Sequence, residues 1–145
     1  SFFIIRQSQF FKVDSQASNK PKYHKSSLNE AMEDELILRL GKLMQEKKPH
    51  LRNDLSLSIL AKELHISRHH LSQILNDKLG LSFFDFVAKH RIEEAQAMLI
   101  SPTLQHLKIE EIAERVGYNS KSAFNAAFKK WTSQTPSAYR KRPLS

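Results

Sequence analysis

Cysteine is absent from all 145 residues. Its absence excludes a disulfide framework, a Cys-ligated zinc finger and a thiol nucleophile, and it agrees with a reducing compartment. Glycine (3) and proline (5) are scarce, which leaves few positions for tight turns and favours helices over a many-stranded sheet. The expected fold class is all-α. No apolar run approaches the roughly 18 to 20 residues that cross a bilayer, and no charged start with a small-residue cleavage site marks a signal peptide. Catalytic signatures are missing as well: there is no His-Glu-x-x-His, no glycine loop for phosphates and no nucleophile elbow. His69 and His70 are neighbours, so on a helix they point about 100° apart and do not make the i, i+4 pair of a helical zinc site. No catalysis, metal or cofactor is expected, and no small-molecule site is visible.

What the chain does have is positive charge. The formal net charge is +8, and from residue 121 to the end Lys121, Lys129, Lys130, Arg140, Lys141 and Arg142 occur without a single acid. A basic end of this kind suits a polyanionic partner, although a solvated basic tail has the same composition.

The chain opens at Ser1 with Phe2-Phe3-Ile4-Ile5, which reads as the tail of something longer. Residues 1–27 mix Gln, Ser, Lys and Asn with isolated aromatics and show no period, as a linker or juxtamembrane arm would. Ser27 and Glu30 then form a capping-box pattern, and Met32, Leu36, Leu40, Leu43 and Met44 follow on one face until Lys47-Lys48-Pro49. Residues 28–48 are expected as an amphipathic helix, packed on the neighbouring domain or facing a partner subunit.

From Leu55 the chain repeats itself. Leu60-Ala61-Lys62-Glu63-Leu64-His65-Ile66 matches Ile112-Ala113-Glu114-Arg115-Val116-Gly117-Tyr118 at an offset of 52, and Ser67, Leu71 and Leu75 match Ser120, Phe124 and Phe128 at an offset of 53. Each copy reads as a short helix with a small Ala at a close crossing, a tight turn, and a second helix opened by a Ser cap, which is the grammar of a helix-turn-helix. Gly117 permits a left-handed turn; His65 stands at that place in the first copy, so its turn is less secure. Between the copies, Ser82 and Asp85 open a helix of about eighteen residues carrying Phe83, Phe86, Val87, Ala95, Met98 and Leu99 and stopping at Ser101-Pro102. At 1.5 Å per residue it is about 27 Å long, a strut suited to recognition elements about 34 Å apart on DNA. The expected division is a first helix-turn-helix at about 56–80, a linker helix at about 83–100 and a second helix-turn-helix at about 108–131, all within 49–145.

On a helical wheel the second helix of the first copy turns Leu71, Ile74 and Leu75 inward. His69, Gln73 and Asn76 face outward, Ser72 flanks them, and Arg68 sits at the amino end. Gln pairs two atoms of adenine and Arg two of guanine, so this face suits base reading. The second copy turns Phe124, Ala127, Phe128 and Trp131 inward and Ser122, Ala126 and Lys129 outward, with Lys121 and Asn125 flanking. Ala126 stands where Gln73 stands in the first copy and offers no hydrogen bond, so the second copy discriminates less. Base-reading residues are expected at Arg68, His69, Ser72, Gln73, Asn76, Lys121, Ser122 and Asn125. Phosphate contacts are expected from Lys129, Lys130, Arg140 and Lys141.

These residues carry a resemblance to the AraC/XylS family of transcription regulators. Its carriers are Leu57 to Gly80, ending in Leu-Gly; Arg91-Ile92-Glu93-Glu94-Ala95; Ile112-Ala113-x3-Gly117-Tyr118; Ser122-x-Phe124-x3-Phe128-Lys129-Lys130; and Thr135-Pro136-Ser137-x-Tyr139-Arg140. Roughly residues 55 to 142 are covered. The resemblance implies two recognition helices in successive major grooves of double-stranded DNA and control of transcription initiation, often by contact with RNA polymerase. The sequence departs where the family usually has Arg, at Ala126, and where it usually has Phe-Gly, at Thr132-Ser133. Upstream, Gln7-Ser8-Gln9-Phe10-Phe11 and Lys22-Tyr23 resemble members whose DNA-binding part follows several membrane spans. That likeness implies a cytoplasmic segment of a protein anchored in the inner membrane, with any homodimer formed through upstream regions. The rival function is a helical protein-interaction module without specific DNA binding.

Overall fold

Leu36, Leu40, Leu43 and Met44 recur at three- and four-residue intervals, the spacing that keeps side chains on one face of a helix. In the computed structural model, which describes residues 27–141, they lie on helix α1 (Ser27–Glu46). Leu40 and Met44 are buried and Leu36 and Leu43 half-buried, whereas Leu28, Met32 and Leu38 are exposed. Lys48 at φ 48° ends the run, and Pro49 begins a 3-10 turn (Pro49–Leu51). The arm at 1–26, the side chain of Ser27 expected to cap α1, and residues 142–145 with Arg142 lie outside the described residues.

Among the described residues every regular element is helical, and the chain divides into two compact units. The first takes residues up to 49 together with 55–86, and the second takes 50–54 together with everything from 87 onward. In the first unit, helix α2 (Leu57–Glu63) is capped by Ser56, whose Oγ accepts from the Ile59 amide at 3.2 Å. Helix α3 (Arg68–Ile74) is capped by Ser67, whose Oγ accepts from the His70 amide at 3.0 Å. Such caps satisfy amides that have no partner within the first turn, typically contributing about 1 kcal/mol each. Helix α3 continues into a π-turn (Leu75–Leu79) and stops at Gly80, which is left-handed at φ 66°. Leu60, Ala61, Leu64, Leu71, Ile74 and Leu75 are buried where α2 and α3 belong to one core. Helix α1 is part of the same unit. Its Arg39 donates to the carbonyl of Leu64 at 3.1 Å, and its Asp34 lies 3.0 Å from the ammonium of Lys78. These contacts pack one side of α1 into the first unit, and Leu28, Met32 and Leu38 stay exposed.

Helix α4 (Phe83–Ile100) is continuous; its first residues group with the first unit and those from Val87 with the second. The second unit then adds a 3-10 turn (Pro102–Leu104) and helices α5 (Ile109–Arg115), α6 (Lys121–Thr132) and α7 (Pro136–Arg140). Its core gathers Ile92, Ala95 and Leu99 of α4 with Ile112, Ala113, Val116, Phe124, Phe128 and Tyr139. The rings of Tyr118, Phe124, Phe128 and Tyr139 form a run of aromatic neighbours with centroids 5.5 to 5.7 Å apart, within the range where tilted and edge-on pairs attract. Trp131 is half-buried, with the ammonium groups of Lys89 and Lys130 at 5.6 and 5.7 Å from its ring.

Candidate nucleic-acid interface

The two repeats share not only a sequence pattern but a hydrogen-bonding pattern. In the first turn the amide of Ile66 donates to the carbonyl of Ala61 at 3.0 Å; in the second the amide of Tyr118 donates to that of Ala113 at 2.9 Å. Between them stands a left-handed residue in each case, His65 at φ 59° and Gly117 at φ 103°. A Ser then caps the second helix in both, Ser120 accepting from the Ala123 amide at 3.1 Å. The insertion that shifts the offset from 52 to 53 falls in the turn, before the caps, and the small side chains of Ala61 and Ala113 are almost fully buried at the crossing.

Second helices so fixed carry outward faces in one register. On α3 and its π-turn, Arg68, His69, Gln73 and Asn76 are exposed and Ser72 is half-buried. On α6, Lys121, Ser122, Ala126 and Lys129 are exposed, and Asn125, the counterpart of Ser72, is likewise half-buried. Its Oδ1 is buried without a hydrogen-bond partner. Lys121 lies 3.7 Å from Glu110 of α5. The inward side of α6 is Phe124 and Phe128, with Ala127 and Trp131 only half-buried.

The basic residues of the carboxyl end separate into two groups. Lys129, Lys130 and Lys141 are exposed. Arg140 is turned inward instead: it donates to the carbonyl of Leu107 at 2.6 Å and to that of Leu104 at 3.3 Å. The Leu107 carbonyl gains a donor there, where the chain turns between α4 and α5, so Arg140, expected as a phosphate contact, is engaged with the backbone of its own unit. A side chain at the last residue of a five-residue helix carries no periodic signal for that role.

Arg91 is the other cation with an internal use. From α4 its Nε donates to the carbonyl of His50 at 2.6 Å and its Nη2 to that of Arg52 at 2.8 Å, and its guanidinium lies 5.2 Å from the Tyr118 ring. Burial draws this guanidinium below its usual value and raises the Tyr118 phenol. Beside it, His90 is buried against the ring of His50, with centroids 5.4 Å apart. Desolvation first, then the charges of His50 and Lys89, hold His90 down to about 3, against an opposing pull from Glu94. His90 is therefore neutral in the folded chain near neutrality. Arg91 drew notice in the sequence only as part of a motif, because its partners are carbonyls some forty positions away. Among the described residues no group of His, Asp and Glu is arranged to hold a metal ion.

A family model described as a helix-turn-helix domain matches residues 60–142. The chain belongs to the AraC/XylS family of helix-turn-helix transcription regulators. It is 37% identical to the solved C-terminal domain of AraT, a response regulator from Geobacillus stearothermophilus, covering 76% of this chain and 88% of that one with a TM-score of 0.65. The DNA-binding domain of AdpA, solved in complex with a target DNA, shares the fold at 23% identity and a TM-score of 0.60, over 70% of this chain and 88% of that one. An HTH-type transcriptional regulator of Staphylococcus aureus (strain COL) is 38% identical over 91 residues, 63% of this chain. The chain spans only 12% of that protein's length. What it carries is the family's helix-turn-helix DNA-binding domain. Among the described residues no helix is long and apolar enough to cross a membrane.

Proposed function

We propose that this chain is the DNA-reading end of a regulator that engages two successive major-groove segments of double-stranded DNA, α3 reading bases more closely than α6. One observation carries the reading: two helix-turn-helix units with matching caps and turn hydrogen bonds present polar faces in the same register. In α3, Arg68, His69, Gln73 and Asn76 form the base-reading face, with Ser72 beside it. In α6, Lys121, Ser122 and Asn125 take that part around the mute Ala126. Lys129, Lys130 and Lys141 contact phosphates and set affinity. Helix α4, 18 residues long, is the segment that links the two units along the chain. In the intact protein the promoter-bound domain meets RNA polymerase, and any self-association runs through the upstream regions.

Selection from a randomised duplex pool, followed by titration of the winner and a scrambled duplex across a salt series, tests this. A winning motif in two parts about ten base pairs apart, bound far more tightly than the control, supports it. Salt-sensitive binding without preference leaves only a basic DNA-coating domain. No binding at all favours the protein-interaction reading, for which the exposed Leu28, Met32 and Leu38 of α1 are the relevant surface.

A further inference from the structure

The two helix-turn-helix units differ in charge at the place where their turns meet their first helices. In the first unit Ser58 and Lys62 of α2, His65 of the turn, and Ser67 and Arg68 at the start of α3 line one open groove of about 440 Å³. Lys62, His65 and Arg68 are all exposed, and the one acid adjacent in sequence, Glu63, sits about 100° round the helix from Lys62. Carried to the second unit by the repeat offsets, Ser58 becomes Glu110, Lys62 becomes Glu114, His65 becomes Gly117 and Arg68 becomes Lys121. There Lys121 already faces Glu110 at 3.7 Å, and the adjacent Glu63 becomes Arg115, outside the four lining positions. The same fold element is thus cationic in one copy and acidic in the other.

We infer that the groove lined by Ser58, Lys62, His65 and Arg68 is a binding site for a backbone phosphodiester of DNA, present in the first unit and abolished in the second. The inference rests on the DNA-binding reading above and deepens it. A phosphate oxygen is matched by the ammonium of Lys62, a point charge with three donors, while Arg68 adds its positive charge at the groove's edge and keeps its guanidinium for the bases. The hydroxyl of Ser67 already accepts from the His70 amide, which leaves its hydrogen for an anion. In the second unit the carboxylates of Glu110 and Glu114 would repel the same phosphate. The groove therefore seats the first unit on the backbone beside the bases read by α3, while the second unit relies on its far end, Lys129 and Lys130. Fixing the better reader most firmly is what phosphate contacts do for specificity: they set register without reading sequence.

The test compares the full chain with Lys62→Ala, Lys62→Arg and, as a control for charge elsewhere, Lys42→Ala on α1. Each is titrated with the selected and the scrambled duplex across a salt series, with thermal unfolding to verify folding. The expected result is that Lys62→Ala weakens both duplexes alike, about five- to tenfold near 0.1 M salt, and lowers the salt slope by about 1. Lys62→Arg restores both, and Lys42→Ala changes neither. An unchanged slope for Lys62→Ala, with wild-type preference for the selected duplex intact, overturns the groove and leaves the DNA-binding reading standing. A loss confined to the selected duplex makes Lys62 a base reader and also overturns it. So does a groove that responds to inorganic phosphate, followed at the amides of residues 58–68, while Lys62→Ala leaves DNA binding untouched; the ligand would then be a free phosphate. A wild-type chain that binds neither duplex overturns both readings, and that result is visible before any variant is made.

Discussion

A Cβ placed on Gly117 would stand 2.8 Å from Nε of Arg91 and 2.7 Å from the carbonyl oxygen of His50. The glycine is needed twice over. Its φ of 103° lies beyond the left-handed region that L residues tolerate, and the space for a methyl group is filled by backbone and by a side chain already engaged with that carbonyl. Gly117→Ala is expected to cost about 1 to 3 kcal/mol, read as a lower midpoint in urea or thermal unfolding. His65 occupies the same place in the first turn at φ 59°, inside the left-handed well, which is why one copy accepts a histidine and the other does not. A Gly117→Ala chain as stable as wild type would show that the turn relaxes and that Arg91 does not enforce it.

Ser133 ends α6 in the left-handed conformation at φ 62°, its amide donating to the carbonyl of Lys129 at 2.8 Å. This is the cap position where glycine is usual, because a side chain there strains the backbone. The preceding Thr132 compensates in part, its hydroxyl donating to the Phe128 carbonyl at 2.7 Å. Ser133→Gly is expected to raise stability by about 0.5 to 1 kcal/mol, visible as a thermal midpoint a few degrees higher. A lower midpoint would mean that the flexibility glycine adds to the unfolded chain outweighs the strain it relieves.

Both positions show what the sequence makes legible. The repeat offsets, the Ser caps and the apolar faces of α3 and α6 can be read directly, because helix periodicity and capping are local properties. Glycine at 117 signals a left-handed turn for the same reason, while a histidine at 65 carries no such mark. The π-turn after Ile74 was also invisible, since one extra residue within a continuous run scarcely disturbs its apolar pattern. Long-range pairings were not accessible. Arg140 and Arg91 look like surface cations in sequence, and only the fold brings the carbonyls of Leu104, Leu107, His50 and Arg52 within their reach. The outward face of α3 was legible as geometry, but a groove between two helices needed the turn that joins them.

The buried His90 gives the second unit a dependence on pH. Its proton affinity is held down to about 3, below the unfolded value of about 6.5, so in the window between them the unfolded chain binds a proton that the folded chain refuses. Stability therefore rises with pH across this window and levels off above about 6.5. Going the other way, the contribution is lost at about 1.4 kcal/mol for each pH unit below 6.5. Urea unfolding at several pH values between 5 and 8 measures it, and His90→Gln is expected to flatten the profile. A His90→Gln chain with the wild-type slope would assign the dependence to other groups.

The division of labour between the two units can be separated by two substitutions on matching faces. Gln73 is exposed on α3, and its amide can both donate to and accept from one adenine edge; its removal breaks those bonds only where that base is present. Gln73→Ala is therefore expected to cost about 1 to 3 kcal/mol on the selected duplex, with one position of its motif relaxed on reselection and the scrambled duplex bound as before. Lys129, about two turns beyond Ser122 on the exposed side of α6, has a point charge and no capacity to accept a hydrogen bond. Lys129→Ala is expected to weaken every duplex alike and to lower the salt slope by about 1. Because a phosphate contact and a base contact differ in salt slope as well as in sequence dependence, the pair gives two independent readouts. Equal, sequence-independent losses from both variants would place Gln73 on the backbone and remove the base-reading role of α3.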